Sequence, residues 1–235
     1  MIQTAYYSDI GGRLQNEDTV REIRKGESVC VVVADGLGGH GGGEQASLLA
    51  AQTVCDGWQG GTDAKELSEL VQLAHEHVKG IQTEICAMKT TIVVFVVRNN
   101  QAVWAHAGDT RLYHFLNGKR VFQTMDHSVS QIAVTMGDIT ADQIRFHEDR
   151  NRVLRALGQE DSLKVDIKEE LLPSGKHAFL LCTDGFWEYV LESEMEECLR
   201  LAQNPQDWLE RMKKILYSRV PVDNDNNTAA ALWME

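Results

Sequence analysis

Short apolar runs that end in an acidic residue recur along this chain, and this pattern limits the fold more than any other feature. "VVVA" leads into Asp35 and "FLLCT" leads into Asp184, and glycine follows each acid. "VWAHAG" leads in the same way into Asp109, and Asp225 shortly precedes the apolar segment "TAAALWM". Short β-branched runs that stop at turn residues are typical of buried strands. Because strand ends at one edge of a sheet system can converge, these carboxylates are candidates for a common site.

Converging carboxylates repel one another, and bare they would take up protons or spread apart. Divalent cations remove that cost, and hard cations such as Mg²⁺ or Mn²⁺ prefer oxygen ligands. A single Asp-Gly after a strand is usually only a turn. Both a metal site and plain turns therefore remain open on the pattern alone. The histidines and cysteines show no zinc-binding spacing.

Strands follow strands and helices come in pairs, unlike a repeating βαβ pattern. We predict an α+β fold in one domain, 1–235, with an antiparallel sheet system and helices on the outside. Asn117-Gly118 favours a tight hairpin turn. The predicted strands are 29–34, 90–97, 101–108, 178–182 and 228–234, with a hairpin over 110–124. The predicted helices are 44–58, 63–88, 129–136, 140–147, 150–157, 187–202 and 205–219.

Composition excludes several function classes. The net charge of -12 argues against nucleic acid or an anionic membrane as the main partner. The apolar runs are too short to span a bilayer, and "MIQTAYYSD" lacks the features of a signal peptide. The five cysteines are scattered and form no C-x-x-C pair, which is typical of core residues in a reducing cytosol. We expect a cytoplasmic protein without membrane insertion.

Nine segments together point to one family. In chain order they are "RLQNED" (13–18), "VVVADGLGGHGGGEQAS" (31–47), "TTIVVFVV" (90–97), "AHAGDTRLYHF" (105–115), "TMDHSVSQ" (124–131), "MGDIT" (136–140), "HEDRNRVLRALG" (147–158), "LLCTDGFWE" (180–188) and "DNDNNT" (223–228). They cover nearly the whole chain. The sequence resembles the metal-dependent protein phosphatases of type 2C, in their short bacterial form. The resemblance implies two packed antiparallel β-sheets flanked by helices, with metals at one end of the sandwich.

The resemblance implies two Mn²⁺ or Mg²⁺ ions in a core site and a third near Asp109. Asp35 would bridge the two core ions. Asp184 and Asp225 would complete the ligands of the first ion, and Asp184 would also help Asp109 to hold the third.

Three further ligands are implied by the same resemblance. The carbonyl of Gly36 would bind one core ion, and Glu17 and Asp18 would support the second ion largely through water. Arg13 matches the arginine that binds phosphate, and its planar fork suits two phosphate oxygens.

The implied activity is that of a serine/threonine phosphoprotein phosphatase, in which a metal-activated water hydrolyses the phosphomonoester and Arg13, Asp35 and Asp184 are catalytic. Phosphoserine and phosphothreonine proteins would be its substrates. A cognate Ser/Thr kinase, or a type VI secretion system, would be its context, and we expect a monomer. Two alternatives remain: a phosphatase of phosphotyrosine or small phosphomonoesters, and a catalytically dead phosphoprotein-binding module.

The chain departs from the family pattern near the active site. Leu37 stands where animal members often carry a histidine, and Lys89 stands where glycine is usual. His40 is the histidine left in the glycine-rich loop. It would either pack within the loop or contact substrate as a proton donor.

Residues 136–155 match the flap that borders the active site, with Gly137 as a hinge. Arg150 and Arg155 within it would either contact substrate or pair with Glu148 and Asp149. We expect the acids of "ESEMEE" (192–197) to form a solvated face.

Overall fold

Two five-stranded sheets form the centre of the computed structural model, which describes residues 2–38 and 41–235. The β10 sheet has the strand order β1-β10-β9-β6-β7, and the β3 sheet has the order β2-β3-β4-β5-β8. Every neighbouring pair is antiparallel. The strands are β1 Gln3–Asp9, β2 Asp18–Lys25, β3 Ser28–Leu37, β4 Lys89–Arg98, β5 Gln101–Ala107, β6 Arg111–Leu116, β7 Lys119–Gln123, β8 Asp166–Leu171, β9 His177–Cys182 and β10 Asn227–Met234.

Helices cover the outer face of each sheet. The helix pair α1 and α2 packs on the β3 sheet, and α4 to α6 pack on the β10 sheet. The helices are α1 Gly43–Gly57, α2 Ala64–Gly80, α3 Val129–Met136, α4 Asp184–Trp187, α5 Glu192–Leu201 and α6 Pro205–Tyr217, with a 3-10 helix at Ala141–Phe146. The predicted α+β sandwich is confirmed. None of the helices in the described part of the chain is long and apolar enough to cross a membrane.

Strand alternation sorts the side chains into three apolar layers. On β3, Val31 and Val33 face the other sheet, whereas Cys30 and Val32 face α1 and α2. The inter-sheet layer is filled from the β10 sheet by residues such as Phe179. Two residues beyond Val33, the same face of β3 carries Asp35. The acid therefore stands where the inter-sheet core ends.

The helix predicted over 63–88 is too long at its C-terminal end. Asp63 caps the start, where its side chain accepts a hydrogen bond from the Glu66 N–H at 2.8 Å. The helix stops at Gly80, and Ile85 beyond it is 95% exposed. The Gln82 side chain donates to the carbonyls of Met88 and Gly158, at 2.6 and 2.7 Å. These bonds fold the chain back toward β4.

Two other helix predictions are wrong, the first entirely and the second in part. Residues 150–157 are not helical, because their backbone pairs with other segments: Leu154 donates to His127 at 2.7 Å and Leu157 donates to Thr90 at 2.8 Å. The predicted helix 187–202 is helical over α5 and at Trp187, the last residue of α4, whereas residues 188–191 between them are not helical. The sequence pattern also did not indicate β8, whose exposed face carries charged residues.

A buried ionic network joins the flap region to the β10 sheet. Arg111 binds Asp126 through two hydrogen bonds of 2.8 and 2.6 Å and stacks over the Trp187 ring at 3.5 Å. Arg145 binds Glu192 through two hydrogen bonds of 2.7 Å and also donates to the Trp187 carbonyl. Both arginines are buried. The charges compensate one another inside the protein.

The expected solvated acidic face at 192–197 is wrong in part, because Glu197 is exposed but the other three glutamates are half-buried. Glu192 belongs to the buried network, Glu194 binds Arg219, Glu196 binds Lys119 and Glu197 binds Arg200. Glu192, Glu194 and Glu196 therefore tie α5 to its surroundings, whereas Glu197 pairs within the helix.

We predict that Asp126→Asn lowers the free energy of unfolding by about 3–5 kcal/mol, because it leaves the buried Arg111 cation without its charged partner. Urea unfolding with EDTA present measures this. Lys119→Met removes an exposed pair and should cost less than about 1 kcal/mol. Equal losses in the two variants would contradict a central role for the buried pair.

Candidate metal centre and active-site cleft

Acidic side chains from both sheets meet at one end of the inter-sheet core. Asp18 on β2 lies directly opposite Asp35 on β3 in the antiparallel register. Asp184 follows β9, and Asp225 comes just before β10. A cleft of about 1160 Å³ opens here, and Asp35, Asp109, Asp184 and Asp225 line it. The structure thus brings together the acids that the sequence predicted to converge.

Burial gives these carboxyls unusual proton affinities. Burial raises the pKa of Asp35, and the nearby Asp18 and Asp184 raise it further. Burial and Asp225 raise the pKa of Asp184 to about 6. Burial raises the pKa of Asp18 to about 8, against the opposing effect of hydrogen bonds from Thr228 and Thr183. Without a cation, the site favours protonated acids.

Asp109 is held by contacts on its backbone. The Trp187 indole N–H donates to the Asp109 carbonyl at 3.0 Å. The preceding Gly108 donates its N–H to His127 Nδ1 at 3.1 Å and accepts the His127 N–H at 2.9 Å. Burial, followed by the charge of Asp184, raises the pKa of Asp109. The implied ligand of a third ion therefore sits on a rigid turn beside Asp184.

The glycine-rich loop is shaped around Glu17. A Cβ atom at Gly38 would lie 2.0 Å from Glu17 Oε2, and one at Gly43 would lie 2.8 Å from Glu17 Oε1. A Cβ atom at Gly36 would lie 2.3 Å from the Gly43 carbonyl oxygen. The glycines thus make room for a carboxylate and for backbone approaching closely. His40, the predicted substrate contact in this loop, lies outside the described residues.

Arg13, the predicted phosphate-binding residue, pairs with a predicted metal ligand. Its Nε and Nη2 donate to the two carboxylate oxygens of Asp225, at 2.9 and 2.7 Å. Arg13 lines the cleft and its side chain is 54% exposed. Asp225 also accepts from the Asn226 N–H at 2.9 Å. Arg13 is therefore at the site and can turn its guanidinium to a ligand in the cleft.

The flap arginines bind acids, but not the predicted ones. Arg150 donates to Glu188 at 2.8 Å, and Arg155 donates to Asp166 at 2.8 Å. Burial, followed by the charge of Asp184, raises the pKa of Glu188 to about 7. The partners are distant in sequence, so charge spacing along the flap could not reveal them. The pairs fasten residues 150–155 to the C-terminal end of α4 and to β8.

Two residues at the site were not predicted from the sequence. The Asn226 carbonyl oxygen Oδ1 accepts the Glu17 N–H at 2.8 Å, and its Nδ2 donates to the Gln15 carbonyl at 3.0 Å. The Thr183 hydroxyl donates to Asp18 at 2.9 Å. Both residues flank the predicted ligands Asp225 and Asp184. Their place beside a ligand, within the segments "LLCTDGFWE" and "DNDNNT", was the signal that could have found them.

The donor set in the cleft fits a hard divalent cation. Carboxylate oxygens are its charged donors, which is the ligand type that Mg²⁺ and Mn²⁺ prefer. Across residues 2–38 and 41–235, one group of three metal-binding side chains has its ligand atoms within 4.8 Å of one another: His106, His127 and Asp166. No three of the described cleft acids have ligand atoms this close together.

The group of His106, His127 and Asp166 already contacts the positively charged side chain of Arg155. Arg155 Nη1 lies 2.9 Å from His127 Nε2 and 2.8 Å from Asp166 Oδ1. His106 stacks on His127 with ring centroids 4.6 Å apart. This group therefore has a structural role, since it packs against the turn at Gly108 through His127.

Comparisons with known proteins agree with this geometry. The chain matches the family model described as protein phosphatase 2C over residues 7–219. The chain belongs to this family. The serine/threonine phosphatase stp of Listeria innocua is 32% identical over 203 residues, which cover 82% of this chain and 77% of the relative. The predicted family is thereby confirmed.

Two solved structures share the fold along almost the whole chain. The catalytic domain of the serine/threonine protein phosphatase PstP, solved in complex with two manganese ions, has a TM-score of 0.81 at 25% identity and covers 100% of this chain and 99% of its own. PppA, a regulatory component of T6SS in Pseudomonas aeruginosa, has a TM-score of 0.78 at 25% identity, with coverages of 98% and 96%.

We predict that Gly38→Ala weakens Mn²⁺ binding about 10- to 100-fold, because the new methyl group displaces the Glu17 carboxylate. Calorimetric titration of the metal-free protein with Mn²⁺ measures this. Gly80→Ala is the matched control, since no atom lies within 4 Å of a Cβ atom there. An unchanged affinity in Gly38→Ala would contradict the shaping of this loop around Glu17.

The raised pKa of Asp18 predicts how the metal-free protein responds to pH. Because the folded-state pKa of about 8 exceeds the ordinary value of 3.8, the stability from this group is fully present below that value. It is lost as the pH rises through about 8. The free energy of unfolding of the wild type, relative to Asp18→Asn, should therefore fall between about pH 5 and pH 8. The slope is at most about 1.4 kcal/mol per pH unit.

Urea unfolding with EDTA at several pH values tests this expectation. Asp161→Asn, an exposed acid away from the cleft, is the control. A wild-type curve that stays parallel to that of Asp18→Asn would contradict the raised pKa.

Proposed function

We propose that this chain hydrolyses phosphoserine and phosphothreonine esters in proteins with the help of two core Mn²⁺ or Mg²⁺ ions and a third near Asp109. The observation that carries the proposal is the meeting of Asp35, Asp109, Asp184 and Asp225 in one open cleft that Arg13 also lines. The similarity of the chain to the serine/threonine phosphatase stp supports phosphoserine and phosphothreonine as substrates. The two manganese ions in PstP support the core pair of ions.

Each residue has a proposed part in this reaction. Asp35, Asp184 and Asp225 would hold one core ion, with the Gly36 carbonyl beside them, and Asp35 would also bind the other. Bound ions would supply Lewis acidity and lower the pKa of a coordinated water. Glu17 and Asp18 would orient water around the second ion.

Arg13 would hold the phosphate through two N–H groups, which orients the phosphorus for in-line attack by water. Asp225 keeps this guanidinium at the edge of the cleft in the structure. The flap, residues 136–155, would form one wall of the cleft and limit access to it. His40 as a substrate contact stays a prediction.

The proposed setting is the cytoplasm, where the chain would act as a monomer against a cognate Ser/Thr kinase. A role beside a type VI secretion system is supported by the likeness to PppA. Phosphotyrosine proteins and small phosphomonoesters are rival substrates that the same chemistry would accept. A binding module without catalysis is opposed by the presence of every implied metal ligand.

We predict that the protein releases phosphate from a phosphothreonine peptide with Mn²⁺ and that EDTA abolishes this activity. Asp35→Asn and Asp184→Asn should each lower kcat/KM at least about 100-fold, because each removes a charged donor from the centre. A malachite-green phosphate assay measures the rates.

The same assay separates the rivals. Faster turnover of a phosphotyrosine peptide or a small ester would favour another substrate class. Peptide binding without release under any metal would favour the binding module, and activity that survives EDTA would contradict the metal mechanism.

A further inference from the structure

Lys89 is a cation in the active-site cleft that no predicted role uses. It is the first residue of β4 and pairs with Leu37 in the antiparallel register. Its side chain has no hydrogen-bond or ion-pair partner among residues 2–38 and 41–235. A lysine in a cleft rich in carboxylates would ordinarily pair with one of them. Its position therefore needs another account.

The register directs Lys89 toward the metal centre. Asp35 pairs with Thr91, and Leu37 pairs with Lys89, so all four side chains project from the same face of the β3 sheet. This is the inter-sheet face, since Val33 and Val93 on the same strands belong to the inter-sheet core. Lys89 stands two residues, about 6.6 Å along the strand, from the level of Asp35. A flexible four-carbon stem spans such a distance.

Lys89 also differs chemically from the other cations of the cleft. The described residues that line it include three arginines, Arg13, Arg152 and Arg155, besides Lys89. A guanidinium donates hydrogen bonds but does not give up its proton, whereas an ammonium can. The carboxyl groups, as ligands of cations, would be ionised. Among the described lining residues, Lys89 is thus the one cation that can supply a proton.

We propose that Lys89 is a catalytic residue that protonates the seryl or threonyl oxygen as it leaves phosphorus. This inference rests on the proposed phosphatase function. Water attacks phosphorus from the side of the acid cluster and gives one of its protons to solvent. The P–O bond to the side chain breaks, and its electron pair stays on the leaving oxygen. One N–H proton of Lys89 moves to that oxygen and yields the alcohol. The neutral amine regains a proton from water, which the open cleft admits.

The test varies the leaving group, because the hydrolysis of an ester with a poor leaving group depends more on protonation than that of an ester with a good one. Rates are measured with Mn²⁺ on a phosphothreonine peptide, a phosphotyrosine peptide and 4-nitrophenyl phosphate, in order of improving leaving group. Lys89→Met should lower kcat/KM about 100-fold on the phosphothreonine peptide and less than about fivefold on 4-nitrophenyl phosphate. The loss should appear in kcat more than in KM.

Two matched variants separate proton transfer from charge. Lys89→Arg keeps the charge and the hydrogen-bond donors but cannot supply the proton, so it should behave as Lys89→Met does. Arg152→Met removes another cation of the cleft and should leave the dependence on leaving group as in the wild type. Calorimetric Mn²⁺ titration of Lys89→Met should match the wild type and show that the metal centre is intact.

Several results would overturn the proposal. Full activity of Lys89→Arg would reduce Lys89 to an electrostatic contact. Equal losses on all three substrates, carried by KM, would make it a binding residue for the peptide. A steeper leaving-group dependence in His40→Ala, but not in Lys89→Met, would assign the proton to His40. If the wild type is active and Lys89→Met has the same rates, this inference is refuted but the proposed function is not. If the wild type hydrolyses none of the substrates, the proposed function is refuted as well.

Discussion

Asp18 and Asp35 face each other across β2 and β3, and this like-charge pair at the end of the inter-sheet core governs the rest of the site. Direct cross-strand neighbours of the same charge destabilise a sheet. Here Asp184 and Asp225 bring more negative charge from the other sheet. The cluster persists because its acids lie at strand ends of the two sheets, and packing of the hydrophobic layers fixes the positions of those strand ends. A cation at this point would neutralise the acids and join the two sheets.

The surroundings of the cluster are arranged to hold acids in place. Glycines at 36, 38 and 43 give space to the Glu17 carboxylate and to neighbouring backbone, while Asn226 fastens the Glu17 segment. The flap is anchored by buried or partly buried ion pairs, of which Arg145 with Glu192 is the most enclosed. The acids, the loop and the flap are thus each fixed by contacts with a different part of the fold.

The sequence predicted what depends on local pattern. Strand alternation and apolar runs located β3, β4, β5, β9 and β10, and Asn117-Gly118 located the hairpin turn. Prediction from the sequence failed where contacts between residues far apart along the chain determine the local structure. Gln82 ends α2 by donating to the carbonyls of Met88, just before β4, and of Gly158. Residues 150–157 are not helical, because their backbone pairs with distant segments.

The site followed the same rule. Acids at strand ends were visible in the sequence, because each one stands at or near the end of an apolar run. The partners of Arg13, Arg150 and Arg155 were not visible, since those pairs bring together elements that lie far apart along the chain. The proposed role of Lys89 likewise depends on the pairing register of β3 and β4, which could not be predicted from the sequence.

The register of β2 against β3 has a consequence for how the protein reaches its native state. Side chains alternate with a period of two, so a slip of one residue would turn Asp18 to the opposite face of the sheet. The hydrophobic residues of β2 tolerate such an error better than the acid pair does, because both faces of this strand are partly buried. Only the correct register brings Asp18 opposite Asp35. A metal ion at this end would therefore bind correctly paired chains and not misregistered ones.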